Sequence, residues 1–140
     1  AIISKQDEDI INNCANFGKY LGIAFQLVDD ILDYSSTDSQ MGKSQGDDLR
    51  EGKPTLPILI AIEKGSKKQQ DIIKSAINNA DESKLEIITD ILIDTNSLEL
   101  AKNQAKDFIT KAKTELKCLP DNEDNESLKK ICDLAINRIS

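Results

Sequence analysis

The sequence predicts an all-α fold, and three observations carry that expectation. Apolar residues recur every three or four positions along most of the chain. The glycines and prolines are few, six and three, and most fall at punctuation points between apolar runs. Alternation of apolar and polar residues with a period of two, the mark of a half-buried strand, is weak everywhere.

The elements follow in order. A first helix is expected from about Asp7 to Tyr34, because Ile10, Cys14, Phe17, Leu21, Phe25, Val28 and Leu32 each follow the last by three or four and line one face. At 1.5 Å per residue it would be roughly 40 Å long, a length suited to a large bundle. From Ser35 to Lys53 the stretch "SSTDSQMGKSQGDDLREGK" reads as a loop with one short turn of helix. "PTLPILIAIEKG" is a short apolar helix, with Pro57 in its first turn and Gly65 as its C-terminal cap. Ser66 with Gln69, and Ser83 with Glu86, have capping-box spacing and are expected to start two further helices. Ser97 is expected to cap another, whose apolar face is Ala101, Ala105, Phe108, Ala112, Leu116 and Leu119, stopped by Pro120. A last helix after the acidic "DNEDNE" carries Leu128, Ile131, Ala135 and Ile139. No internal repeat is visible.

Composition narrows the function classes. With 39% hydrophobic and 31% charged residues over 140 positions, the chain suits one ordinary globular domain. A net charge of -7 argues against nucleic-acid binding, which needs a basic patch. No apolar run reaches the ~18 residues of a membrane span. Cys14, Cys118 and Cys132 lack metal-ligand spacing, read as small core residues, and point to a reduced, cytoplasmic setting. There is no histidine, so imidazole catalysis and imidazole metal ligation are excluded within this chain.

The candidate chemistry begins in "FQLVDDILDY". Gly22, Gln26, Asp29 and Asp33 are spaced 4, 3 and 4 and share a helical face about 100° from the apolar stripe, with Asp30 between the two directions. Like charges so placed repel, and a cation would remove that repulsion. Oxygen-only ligands suit a hard ion such as Mg²⁺, which takes one or two carboxylates plus water and substrate phosphate. Taken alone, the triplet fits a solvated acidic face equally well. The loop that follows adds Lys43 after Gly42 and Lys53 after Gly52, with Asp47 and Asp48 between them. Lysines are point-charge ligands for phosphate and glycines admit close backbone approach, which makes a Mg²⁺–diphosphate clamp plausible. For Asp47 and Asp48 the plainer reading is loop solvation or capping of a short turn.

These residues resemble a known family. "GIAFQLVDDILDY" followed by "MGKSQGDDLREGKPTLPILIAI" is similar to the second aspartate-rich region of the trans-isoprenyl diphosphate synthases. The ending E-G-K-P-T-L-P most resembles the long-chain polyprenyl group, its octaprenyl-forming members above all. The match is continuous from about Gly18 to Gly65; beyond it only the succession of helices agrees.

The resemblance implies an isoprenoid-synthase-type helical bundle with Mg²⁺ as cofactor, and allylic diphosphate and isopentenyl diphosphate as substrates. Asp29, Asp30 and Asp33 would bind the metal, Asp29 and Asp33 most directly. Lys43 and Lys53 would neutralise the diphosphate, Gln26 would line the site with Phe25 packed beneath it, and Asp47 would orient the loop. Such synthases are about twice this length and carry a first aspartate-rich motif that "AIISKQDEDI" and the residues after it do not supply. The chain is therefore expected to be residues 1–140 of the C-terminal part of such a synthase, inactive alone, and paired as a homodimer or with the missing N-terminal half. A quinone side chain is the expected destination of the product. The alternatives are a complementing, non-catalytic subunit of a two-part synthase and, less favoured, a terpene cyclase-like lyase, whose mixed Asn/Ser/Glu metal motif is not found after Asp33.

Overall fold

The computed structural model describes residues 6–35 and 45–139, and among them every regular element is helical. The α-helices are α1 (Glu8–Ser35), α2 (Asp47–Arg50), α3 (Leu56–Lys64), α4 (Lys67–Asn78), α5 (Leu85–Asp94), α6 (Ser97–Glu115) and α7 (Glu123–Asn137), with 3₁₀ turns at Glu82–Lys84 and Leu116–Cys118. The helices form two compact units. One holds the described residues up to Val28 and from Gln104 onward; the other runs Asp29–Asn103.

The first unit is built on small residues. Ala24 of α1, Ile109 and Ala112 of α6, and Cys132 and Ala135 of α7 are buried, with Phe17, Leu21, Phe25 and Phe108 packed around them. Alanines at these positions leave room for the half-buried aromatic rings to pack over them. Asn125, also buried, clamps the end of the turn before α7: its amide donates to the carbonyls of Leu116 (3.3 Å), Leu119 (3.4 Å) and Pro120 (3.0 Å).

The second unit has the larger aliphatic core. Tyr34 from α1, Leu49 from α2, Ile58 from α3, Ile73 from α4 and Ile88 and Leu92 from α5 are all 0–1% exposed and pack together. The connection into α2 is tight. Gly46 has φ +85°, and a Cβ there would lie 2.8 Å from Leu85 Cδ2. Gly52, with φ +65°, ends the turn, and a Cβ there would lie 2.8 Å from the Ile77 carbonyl oxygen. The segment between the two glycines is thus pressed onto α4 and α5.

Several sequence expectations are corrected in detail. The most buried line of α1 is Ala24, Val28 and Ile31, about one position around from the expected Leu21, Phe25, Val28 and Leu32. The larger side chains flank that line half-buried, because helices approach most closely over small residues. The Ser66–Gln69 capping box forms as expected. The Ser83–Glu86 box does not: Asp81 accepts the Ser83 amide and hydroxyl instead, and a 3₁₀ turn precedes α5. Ser97 is the first residue inside α6, and its hydroxyl is shared with Thr95 at 2.6 Å. Gly65 caps α3 in an extended rather than left-handed conformation; glycine is needed because a Cβ would stand 2.7 Å from the Ala61 carbonyl oxygen. Ile131 points outward on α7, where Asn125, Cys132 and Ala135 take the buried face. Cys132 is buried, whereas Cys14 and Cys118 are only half-buried.

Candidate functional site

The last turns of α1 carry the three aspartates into the second unit, where each has a different environment. Asp29 is half-buried and shares a helical face with Asp33 four residues on. Asp30 turns inward and is 6% exposed. A buried carboxylate needs a partner, and Lys53 supplies one: its ammonium donates to Asp30 Oδ1 at 3.3 Å and to Asp48 Oδ1 at 3.0 Å. The Lys53 side chain remains 42% exposed, so its charge is seated on the protein and still open to solvent. The hydrogen bond to Asp48, with the nearby Asp30 charge, raises its pKa above the ordinary lysine value against the opposing effect of burial.

Asp33 accepts from three backbone amides. Its Oδ1 accepts the Asp47 N–H and its Oδ2 the Asp48 N–H, both at 3.1 Å, and its carbonyl accepts the Gly46 N–H at 3.1 Å. Burial raises its pKa, and the two amide bonds oppose that rise. Asp47 joins the same arrangement through its amide, and its carboxylate accepts from Arg50 Nη1 at 2.5 Å. Arg50 also forks onto Glu82, with Nε on Oε2 at 3.0 Å. These outer pairs are exposed and fix geometry more than stability.

Two buried hydroxyls lie behind the carboxylates. The Tyr34 ring is in the core, where burial pushes its phenol pKa well up and the neighbouring Thr55 hydroxyl opposes that rise.

Of the expected site residues, Asp30, Asp33, Asp47 and Lys53 are thus linked by hydrogen bonds, and Asp29 lies one turn before Asp33. Phe25 and Gln26 are on α1 within the other unit, Phe25 half-buried in its core and Gln26 exposed. Gly42 and Lys43 lie outside the described residues. Asp48 was undervalued by sequence reasoning, because its link to Lys53 depends on the turn at Gly52 rather than on any spacing rule.

Among the described residues no three carboxylate or thiol side chains converge as a ready metal cage. The candidate donors are all oxygen: Lys53 lies against Asp30 and Asp48, and Arg50 against Asp47 and Glu82. Carboxylate oxygens that do not form a cage suit a hard cation that takes few protein oxygens and completes its shell with water and phosphate. The residues therefore fit Mg²⁺ arriving with an anionic substrate, and do not fit a metal held by protein alone.

Comparison with known proteins agrees over the whole fold. The family described as polyprenyl synthetase matches residues 1–95. The octaprenyl diphosphate synthase of Haemophilus influenzae is 40% identical over 124 residues, 88% of this chain and 38% of that protein. The crystal structure of a decaprenyl diphosphate synthase from Rhodobacter capsulatus superposes with a TM-score of 0.89 at 31% identity, covering 99% of this chain and 43% of that one. A polyprenyl synthase from Caulobacter crescentus, complexed with calcium and isoprenyl diphosphate, gives 0.86 at 34% identity, over 96% of this chain and 42% of that one. The chain spans well under half the length of these relatives.

Proposed function

Since the chain belongs to the polyprenyl synthetase family, we propose that it supplies the allylic-diphosphate half of a trans-prenyltransferase that builds long-chain polyprenyl diphosphates. The observation that carries this reading is Lys53, whose ammonium is seated between Asp30 and Asp48 beside the carboxylates of α1 while 42% of its side chain stays open. A cation so held is preorganised to meet phosphate oxygens without first being ordered. The binding of calcium and isoprenyl diphosphate by the Caulobacter relative supports the same ligand class here.

The reaction is an ionisation followed by condensation. The C–O bond of the allylic diphosphate breaks and its electron pair leaves with the diphosphate. The double bond of isopentenyl diphosphate attacks the allylic carbon, and the resulting cation loses a proton to pyrophosphate or a nearby base. Lys53 holds the departing diphosphate and offsets its growing charge. Mg²⁺, when bound, would be held by Asp29 with neighbouring carboxylates and would supply Lewis-acid neutralisation of the diphosphate. Asp30 and Asp48 keep Lys53 in place, and Lys43, from the resemblance, would close on the same group. Gln26 and Phe25 would border the substrate, and the apolar helix faces would keep water from its tail.

The test uses a completed synthase: this chain joined to the part of the Haemophilus influenzae octaprenyl diphosphate synthase that it does not match. With Mg²⁺, an allylic diphosphate and labelled isopentenyl diphosphate, it should form extended polyprenyl diphosphates. The chain alone should form none, because the opposing half of the site is absent. Condensation by the chain alone, or none by a folded completed synthase, would count against this reading.

A further inference from the structure

We propose that Asp33 is a positioning residue for Lys53 rather than a ligand to the cation, an inference that rests on the diphosphate reading of this site. Three donors converge on this one residue. The amides of Asp47 and Asp48 use both carboxylate oxygens at 3.1 Å, and the Gly46 amide uses the carbonyl at 3.1 Å. The first N–H groups of a helix have no partner within it, and an N-cap side chain normally takes them. Here the N-cap of α2 is Gly46, which has no side chain. A carboxylate from the preceding helix does the work instead, so the turn cannot slide along α1 without losing all three bonds.

Asp48 passes that placement on. Its carbonyl accepts the Lys53 N–H at 2.8 Å and its Oδ1 accepts the Lys53 ammonium at 3.0 Å. Asp30, three residues before Asp33 on α1, takes the same ammonium at 3.3 Å. The direction of Lys53 is therefore set twice by one helix, directly through Asp30 and indirectly through Asp33 and Asp48. A cation drawn onto Asp33 would compete with two charge-assisted amide bonds that hold the lysine turn.

The first readout uses the full chain without metal or substrate. In Asp33→Ala, amide hydrogen exchange at Asp47 and Asp48 should rise about tenfold or more, while core amides such as Leu92 keep their rates. Asp33→Asn retains one acceptor oxygen and should restore protection at one of the two amides. Should the alanine variant fail to fold, the asparagine variant is read against the unaltered chain in the same way. Unchanged exchange at both amides, or an equal rise across the whole chain, overturns the proposal. In the completed synthase, Asp33→Asn should raise KM for the allylic diphosphate more than it lowers kcat, and leave the Mg²⁺ concentration for half-maximal rate unaltered. A shift in that concentration as large as the one caused by Asp29→Ala would assign Asp33 to the cation. The exchange readout involves no substrate, so it decides the role of Asp33 even if the completed synthase is inactive, a result that would count against the function reading instead.

Discussion

Asp29→Ala is expected to lower the turnover of the completed synthase about a hundredfold or more while leaving its stability within about 1 kcal/mol. We propose Asp29 as a direct contact to the cation, as the family resemblance implies; Asp30 meets Lys53, and Asp33 meets the turn before α2. Charge that develops on a departing diphosphate is worth most when it is met by preorganised positive charge, and losing one such contact costs rate rather than fold. Asp29 is half-buried, and its loss relieves repulsion with Asp33 on the same face. Steady-state kinetics alongside thermal melting separate the two effects. Unfolding of the variant, or turnover within a few-fold of the unaltered enzyme, would remove Asp29 from the cation site.

Leu49→Ala is expected to cost about 2–5 kcal/mol of unfolding free energy. Leu49 is 0% exposed and is the one fully buried residue of α2, packed among the aliphatic side chains of the second unit. Truncation removes its transfer free energy and leaves a cavity in a core shared with α1, α3, α4 and α5, which cannot all collapse inward. The same side chain anchors the turn that aims Lys53, so the variant should also bind diphosphate less tightly at temperatures where it remains folded. Urea denaturation gives the first quantity. A loss below about 1 kcal/mol would mean that α2 is not seated on the core in solution.

Much of the fold was legible because helical periodicity is a local signal. The Ser66–Gln69 box, Pro57 in the first turn of α3 and the apolar run of α5 each declare themselves within a few residues. The failures are equally physical. The stripe on α1 was read from the largest apolar residues, but close approach favours Ala24, and bulky Phe25 and Leu21 sit at the margin. Ser83 lost its expected box because Asp81, two residues earlier, is a stronger acceptor in the tighter 3₁₀ turn. At the candidate site, the acidic triplet and Lys53 were visible as a pattern, whereas the hydrogen bonds that join them were not. Asp33 meets amides 14 and 15 residues away, and Asp48 meets Lys53 across a turn that only Gly52 permits. Such pairings depend on tertiary closure, which spacing along a helix does not encode.

The central claim is that Lys53, with the carboxylates of α1, forms a cation-assisted diphosphate site. Calorimetric titration of the completed synthase with inorganic pyrophosphate in the presence of Mg²⁺ tests it most directly. Binding should weaken about tenfold or more in Lys53→Ala, the loss of one charge-assisted phosphate contact, and should fall by a similar factor in Asp29→Ala. Pyrophosphate affinity unchanged by both substitutions would contradict the account.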